Sequence, residues 1–176
     1  MSAVIRSGSV AFRPRARLLK LIGAELISDE VVAITELVKN AYDADASSVV
    51  ISFRNVTTPG GEICVRDDGT GMDLDTLLGV WMEPGATSKG DGTRRRTARR
   101  RRVLGEKGVG RFAADKLGRH LELVSRQVGE QAEMRATFDF DLFDSGAEML
   151  GAIRSRWELR PPVAIDRRGT LLRISG

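Results

Sequence analysis

Residues 36–46 read Glu-Leu-Val-Lys-Asn-Ala-Tyr-Asp-Ala-Asp-Ala, and this stretch constrains the chain more than any other. An α-helix turns about 100° per residue, so Asn40 falls about 40° round from Glu36 and Asp43 about −20°. Three polar groups thus share one narrow stripe. Ile34, Leu37, Val38 and Ala41 gather on the opposite side, giving a helix with a core face and a polar face. Ser28 or Asp29 can cap it, and the helix is expected over residues 29–43. Taken alone, the stripe reads first as the wet side of an amphipathic helix, and its meaning depends on the segments downstream of it in the chain.

The chain has 176 residues, enough for one domain with a real core. Its 41% hydrophobic and 30% charged residues fit a soluble globular class. No apolar run reaches the roughly 20 residues of a membrane helix, and no apolar segment of secretory type follows Arg6, so no membrane partner and a cytoplasmic location are expected. The single cysteine, Cys64, excludes an internal disulfide framework and reads as a small buried hydrophobe. With one histidine, His120, an ordinary zinc site is not expected. The net charge of +4 is local in origin: seven arginines lie between Arg94 and Arg102.

Residues 1–11 form a loose arm in this reading, and 12–176 one domain. Helices are expected over Phe12–Leu26 (opening after Pro14), Leu74–Met82 and Val109–Leu117. Strands are expected over 49–53, 62–66, 120–126, 134–142 and 169–174, the first two joined as a hairpin through Thr57–Gly61. Residues 144–160 carry no clear pattern. Residues 83–104 contain almost nothing apolar, and a loop of that length within a domain is functional or disordered. The resulting fold class is a two-layer α/β (α+β) sandwich, one mixed, mostly antiparallel sheet with helices on one face.

Two glycine-punctuated segments flank that loop. Asp67-x-Gly69-x-Gly71 ends a strand; a carboxylate there can accept a hydrogen bond from an exocyclic amine such as that of adenine, although Asp-Asp-Gly also makes a simple turn. Gly105-x-x-Gly108-x-Gly110 opens a helix, whose free N–H groups form an anion site, with Lys107 and Arg111 adding charge. It lacks the Gly-Lys-Ser/Thr of a Walker loop and the preceding strand of a dinucleotide fingerprint.

Together these segments resemble the superfamily of gyrase B, heat-shock 90 chaperones, histidine kinases and mismatch-repair ATPases (GHKL, the Bergerat nucleotide fold). Glu36 to Ala44 matches its N-box, Arg66 to Met72 its first glycine box and Gly105 to Phe112 its second. Ala86-Thr87-Ser88-Lys89 looks like the start of the lid of mismatch-repair members, making 83–104 an ATP lid, and Gly169-Thr170 looks like the family's late Gly-Thr. The resemblance covers residue 25 onward.

It implies ATP and Mg²⁺ as cofactors. Asn40 would be the metal ligand, and Glu36 the catalytic group that activates water. Asp67 would bind the adenine amine with Thr170 assisting, and Gly71 would let the base approach beside Met72. Thr87, Ser88, Lys89, Gly105, Lys107, Gly108, Val109, Gly110 and Arg111 would surround the phosphates. Asp43 would hold helix and loop together. Glu36, and the lack of a preceding phosphoacceptor histidine, favour an ATPase over a histidine-kinase-like module. The family pattern further implies dimerisation on ATP and a downstream domain, so that this chain would be the N-terminal piece of a longer protein. The arginine run matches no family pattern. A solvated lid segment, a phosphate-neutralising arginine and a nucleic-acid or acidic-partner contact stay open for it. A non-catalytic ATP sensor and a basic nucleic-acid adaptor acting through Arg94–Arg102 are the rival functions.

Overall fold

The computed structural model describes residues 11, 13–83, 96–105, 110–144 and 148–176. Six strands form one sheet: β1 (Val49–Arg54), β2 (Glu62–Asp67), β3 (His120–Arg126), β4 (Glu133–Asp139), β5 (Arg156–Arg160) and β6 (Gly169–Ser175). Their order is β1-β2-β6-β3-β4-β5. The last strand of the chain is therefore a central one, wedged between β2 and β3. Every pair is antiparallel, so the expected mixed sheet proves to be antiparallel throughout the described residues. The helices lie on one face, as expected.

Strand alternation explains which face is covered. Val65, Leu121, Leu123, Met134, Ala136, Phe138, Leu172 and Ile174 point to the helix side and are buried there. They meet Ala33 and Leu37 of α2 (Glu30–Asp43) and Phe112, Ala113 and Ala114 of α4 (Gly110–Leu117). Asp29 caps α2, its carboxylate accepting from the Val32 N–H at 2.8 Å.

Three local readings change. Helix α1 is Arg17–Leu26; an opening directly after Pro14 was expected, and the helix begins two residues later. The preceding backbone is taken up elsewhere: Arg15 bridges Met149, and the Ala16 N–H bonds the Glu148 carbonyl at 3.0 Å. The segment Leu74–Met82 is one turn of α-helix, α3 (Leu74–Thr76), running into a π-helical turn, Leu77–Trp81, closed by the Met82 N–H on the Leu77 carbonyl at 2.9 Å. Residues 144–160, unassigned from sequence, contain β5; as an edge strand rich in Arg and Glu it shows no core pattern.

The opposite sheet face carries a smaller cluster, Val124, Leu171 and Ile165 with Cys64 and Ala164 against it. The loop bearing Ala164 and Ile165 is tied down by Glu133, 0% exposed, which accepts from the Arg160 Nε at 2.8 Å and from the N–H groups of Ala164 (2.8 Å) and Ile165 (3.0 Å). Burial alone would raise this carboxyl. The bonds from Ile165, Ala164 and Arg160 outweigh burial and hold it below the usual carboxylate range. Glu133→Ala would leave buried donors unpaired and should lower unfolding free energy by about 3 kcal/mol, read by urea denaturation at neutral pH. Because the folded-state pKa is depressed, the gap between wild type and variant should be full above the usual carboxylate range and narrow as pH falls below that range, through the depressed folded-state pKa.

Candidate functional site

Three elements put their polar residues into one pocket of about 240 Å³ between α2, the sheet and the π-turn. Helix α2 and its cap contribute Leu37, Asn40, Ala41 and Ala44. From β2 and the turn after it come Val65, Asp67, Gly71 and Met72; Thr76, Val80 and Trp81 close one side, and Thr170 and Leu172 of β6 form the floor. Five predicted site residues thus share one cavity: Asn40, Asp67, Gly71, Met72 and Thr170.

The floor is fixed by sheet register. Asp67 stands opposite Thr170, and Thr170 opposite Ser125, so three polar side chains run in one row across β2, β6 and β3. Ser125 is 0% exposed and ties the row together. Its hydroxyl lies 3.0 Å from the Thr170 hydroxyl and 3.1 Å from the Gly169 carbonyl, and accepts from the Met72 N–H at 2.8 Å. Sequence reasoning missed Ser125. Its only signal is its place in a strand otherwise apolar on that face, at the level of Thr170.

Of the two adjacent aspartates, alternation sends Asp67 inward. Its Oδ1 accepts from the Gly69 N–H at 2.8 Å. Burial pushes the carboxyl up, against the N–H groups of Gly69 and Thr170, which favour its charged form. Asp68 turns outward and accepts from the N–H groups of Ser48 (2.8 Å) and Ser47 (2.6 Å), with Ser48 foremost in holding its pKa low. Gly71 has a left-handed backbone, φ +71°, and a Cβ there would stand 2.0 Å from the Arg126 carbonyl oxygen. The space its missing side chain provides is filled by the neighbouring strand's backbone. This packing reason requires glycine independently of any ligand, and Gly71 also lines the pocket.

Glu36 lies one turn before Asn40 on α2, but it is not among the lining residues. Its carboxylate pairs with Lys39 Nζ at 2.5 Å. Asp43 does what was expected of it: its two oxygens accept from the N–H groups of Leu104 (2.8 Å) and Gly105 (2.7 Å). The Gly105 N–H is therefore engaged by protein in this conformation and does not stand open to an anion. Gly110 is the first residue of α4. Thr87, Ser88, Lys89, Lys107, Gly108 and Val109 lie outside the described residues, as does the Arg111 side chain. Among the described residues no group of three or more His, Cys, Asp or Glu could hold a metal, and no helix is long and apolar enough to cross a membrane.

Comparison with known proteins bears on this geometry. Residues 28–170 match the family model described as "Histidine kinase-, DNA gyrase B-, and HSP90-like ATPase". The chain belongs to this GHKL ATPase family. The match runs from Ser28, just before the cap of α2, to Thr170 and takes in every residue lining the pocket except Leu172. Similar curated proteins include the DNA mismatch repair protein MutL of Dictyoglomus thermophilum, 34% identical over 84 residues, covering 47% of this chain and 14% of that protein. MutL of Methanocorpusculum labreanum is 38% identical over 69 residues, 39% of this chain and 12% of that one. The putative type II restriction enzyme HgiDII of Herpetosiphon aurantiacus is 32% identical over 94 residues, 53% and 14% respectively. The matched stretch thus spans about a seventh of the length of these relatives. A solved structure titled "Crystal Structure of N terminal domain of a DNA repair protein" shares the fold, with TM-score 0.52 at 18% identity over 90% of this chain and 38% of that one.

The raised pKa of Asp67 has a stability consequence. At neutral pH its buried charge opposes folding of the unliganded chain. Asp67→Asn should raise the thermal midpoint without nucleotide by about 2 °C, the response of a chain this size to a gain under about 1 kcal/mol. The sign follows from a raised folded-state pKa: below the usual carboxylate range Asp67 is protonated folded or unfolded, so the difference should vanish there. Differential scanning calorimetry at neutral and acid pH reads it.

Proposed function

We propose that this domain binds ATP with Mg²⁺ and hydrolyses it to ADP and phosphate, serving as a nucleotide-driven switch within a longer protein. The observation that carries the reading is the common pocket of Asn40, Asp67 and Thr170 inside a GHKL frame. An ionised carboxylate is acceptor-only, so Asp67 takes the exocyclic amine of adenine, and Thr170, held by Ser125, supports a bridging water. Leu37, Ala41, Val65 and Leu172 supply the apolar walls against which a purine stacks.

Asn40 fits a hard cation that needs few protein ligands and shares phosphate oxygens and waters. Bound Mg²⁺ would neutralise charge on the phosphates. The second glycine box leads into α4 and, beyond Gly105, would offer the backbone N–H groups of Gly108, Val109 and Gly110 to the phosphates, with Thr87, Ser88 and Lys89 approaching from the other side. Glu36 would take a proton from the attacking water. To do so it must leave Lys39; that pair lies partly in solvent, with Lys39 38% exposed, and such pairs hold weakly. Arg99 and Arg101 are engaged by the protein's own groups, which favours this reading over a nucleic-acid adaptor. Association of two chains on ATP would transmit the switch.

The test is titration with ATP by calorimetry, with and without Mg²⁺. Wild type should bind. Asp67→Asn should lose at least about tenfold in affinity, the loss of a charge-assisted hydrogen bond, and Asn40→Ala should lose the Mg²⁺-dependent part of binding. Glu36→Gln should still bind ATP yet slow single-turnover hydrolysis by about 100-fold or more. Equal single-turnover rates for Glu36→Gln and wild type would convert the reading to a non-catalytic ATP sensor.

A further inference from the structure

The arginine run has a structural role that the ATP reading does not use. Its second half, Arg96–Arg102, is a small closed turn: Arg96 bridges Arg102, the Thr97 N–H bonds the Arg101 carbonyl at 2.9 Å, and the Arg100 N–H bonds the Thr97 carbonyl at 2.8 Å. This turn is seated on the C-terminal end of α2, the helix that carries Asn40. The seat is Asp45, 6% exposed and in a left-handed conformation at φ 58°. Its Oδ1 accepts from the Thr97 hydroxyl at 2.5 Å and its Oδ2 from the Arg99 N–H at 3.0 Å, and Arg101 Nε stands 3.9 Å away.

The two arginine side chains complete the clasp. Arg99 donates to the Ser47 hydroxyl at 2.6 Å. Arg101 donates to the Ala46 carbonyl at 2.7 Å and lies over the Tyr42 ring, 4.8 Å from its centre. Cations beyond the last turn of α2 also meet the negative end of its dipole. A few residues later Asp43 holds the N–H groups of Leu104 and Gly105. The stretch Arg96–Gly105, which runs into the first glycine of the second glycine box, is thus fastened at two points, by Asp43 at the end of the helix that lines the pocket and by Asp45 just beyond it.

We infer that Asp45 is a positioning residue for nucleotide binding: by clasping Thr97, Arg99 and Arg101 it fixes where the chain enters the second glycine box relative to Asn40. Asp45 does not line the pocket, so it acts through the segment it holds. The inference rests on the ATP reading, and the phosphate end of the ligand is the end it governs. The base, held by Asp67 and Thr170 on the sheet, lies beyond its reach.

Two measurements on the whole chain test this. Amide hydrogen exchange without nucleotide reads the clasp: in Asp45→Ala the Arg99 and Arg101 amides should exchange at least about tenfold faster, while those of β6 are unchanged. Calorimetry reads the consequence: ATP affinity should fall about tenfold in Asp45→Ala, while adenosine, which has the base and no phosphate, binds as to wild type. Thr97→Val should move both readouts the same way by less, and Asp45→Asn, which keeps one acceptor, should fall between; these carry the comparison should Asp45→Ala fail to fold. Unchanged ATP affinity, or equal losses for ATP and adenosine, would overturn the inference. A wild-type chain that binds neither ligand would remove the ATP reading and this inference with it, whereas wild-type binding with no exchange difference would remove the clasp alone.

Discussion

The insertion of β6 between β2 and β3 is the constraint on which the pocket depends. It brings Asp67, Thr170 and Ser125 into one row, from parts of the chain separated by long loops. The row holds because Ser125 is fully buried and its hydroxyl has partners on both sides, the Met72 N–H and the Gly169 carbonyl, with the Thr170 hydroxyl beside it. A buried hydroxyl left without partners is costly, so the row locks register as well as position. Gly169 enforces the same register from the backbone, since a Cβ there would stand 2.2 Å from the Asp67 carbonyl oxygen.

Helix α2 is organised differently. Its apolar side, Ala33, Leu37 and Ala41, is buried against the sheet and α4, and the neighbouring surface turns Asn40 toward the pocket. At and around its end three aspartates divide the work by position. Asp43 holds Leu104 and Gly105, Asp45 holds Thr97 and Arg99, and Asp68, from the end of β2, holds Ser47 and Ser48. Acidic groups near a pocket that would receive phosphate are thereby occupied with N–H and O–H donors of the chain itself. Asp67 alone among them faces the cavity.

The far face of the sheet is built on charge. Glu122 receives Arg135 and Arg173, each at 2.5 Å, and Glu133 pins the loop that covers Val124 and Leu171. Such a face needs no helix layer, which is how one sheet can be apolar on the helix side and largely polar on the other. The exception is the small cluster under Ile165, where the covering loop supplies the missing apolar contact.

Much of this was legible in the residues. Helical spacing placed Glu36, Asn40 and Asp43 on one stripe, strand alternation placed most of the sheet, and the order of the boxes pointed to the GHKL family, because these are properties of neighbours in sequence. The edge strand β5 was not legible, since a strand with one unpaired edge and a charged composition carries no core pattern. Nor was the π-turn at Leu77–Trp81, which differs from an α-helix by one hydrogen-bond step. The row through Ser125, the packing reason for Gly71 and the seating of Arg99 and Arg101 on the end of α2 depend on which strands lie side by side and which loop returns to which helix. Local chemistry thus determined the elements and the candidate residues. Only the tertiary structure decided which of them meet, because contacts between distant segments are set by packing and register, and no local pattern encodes those.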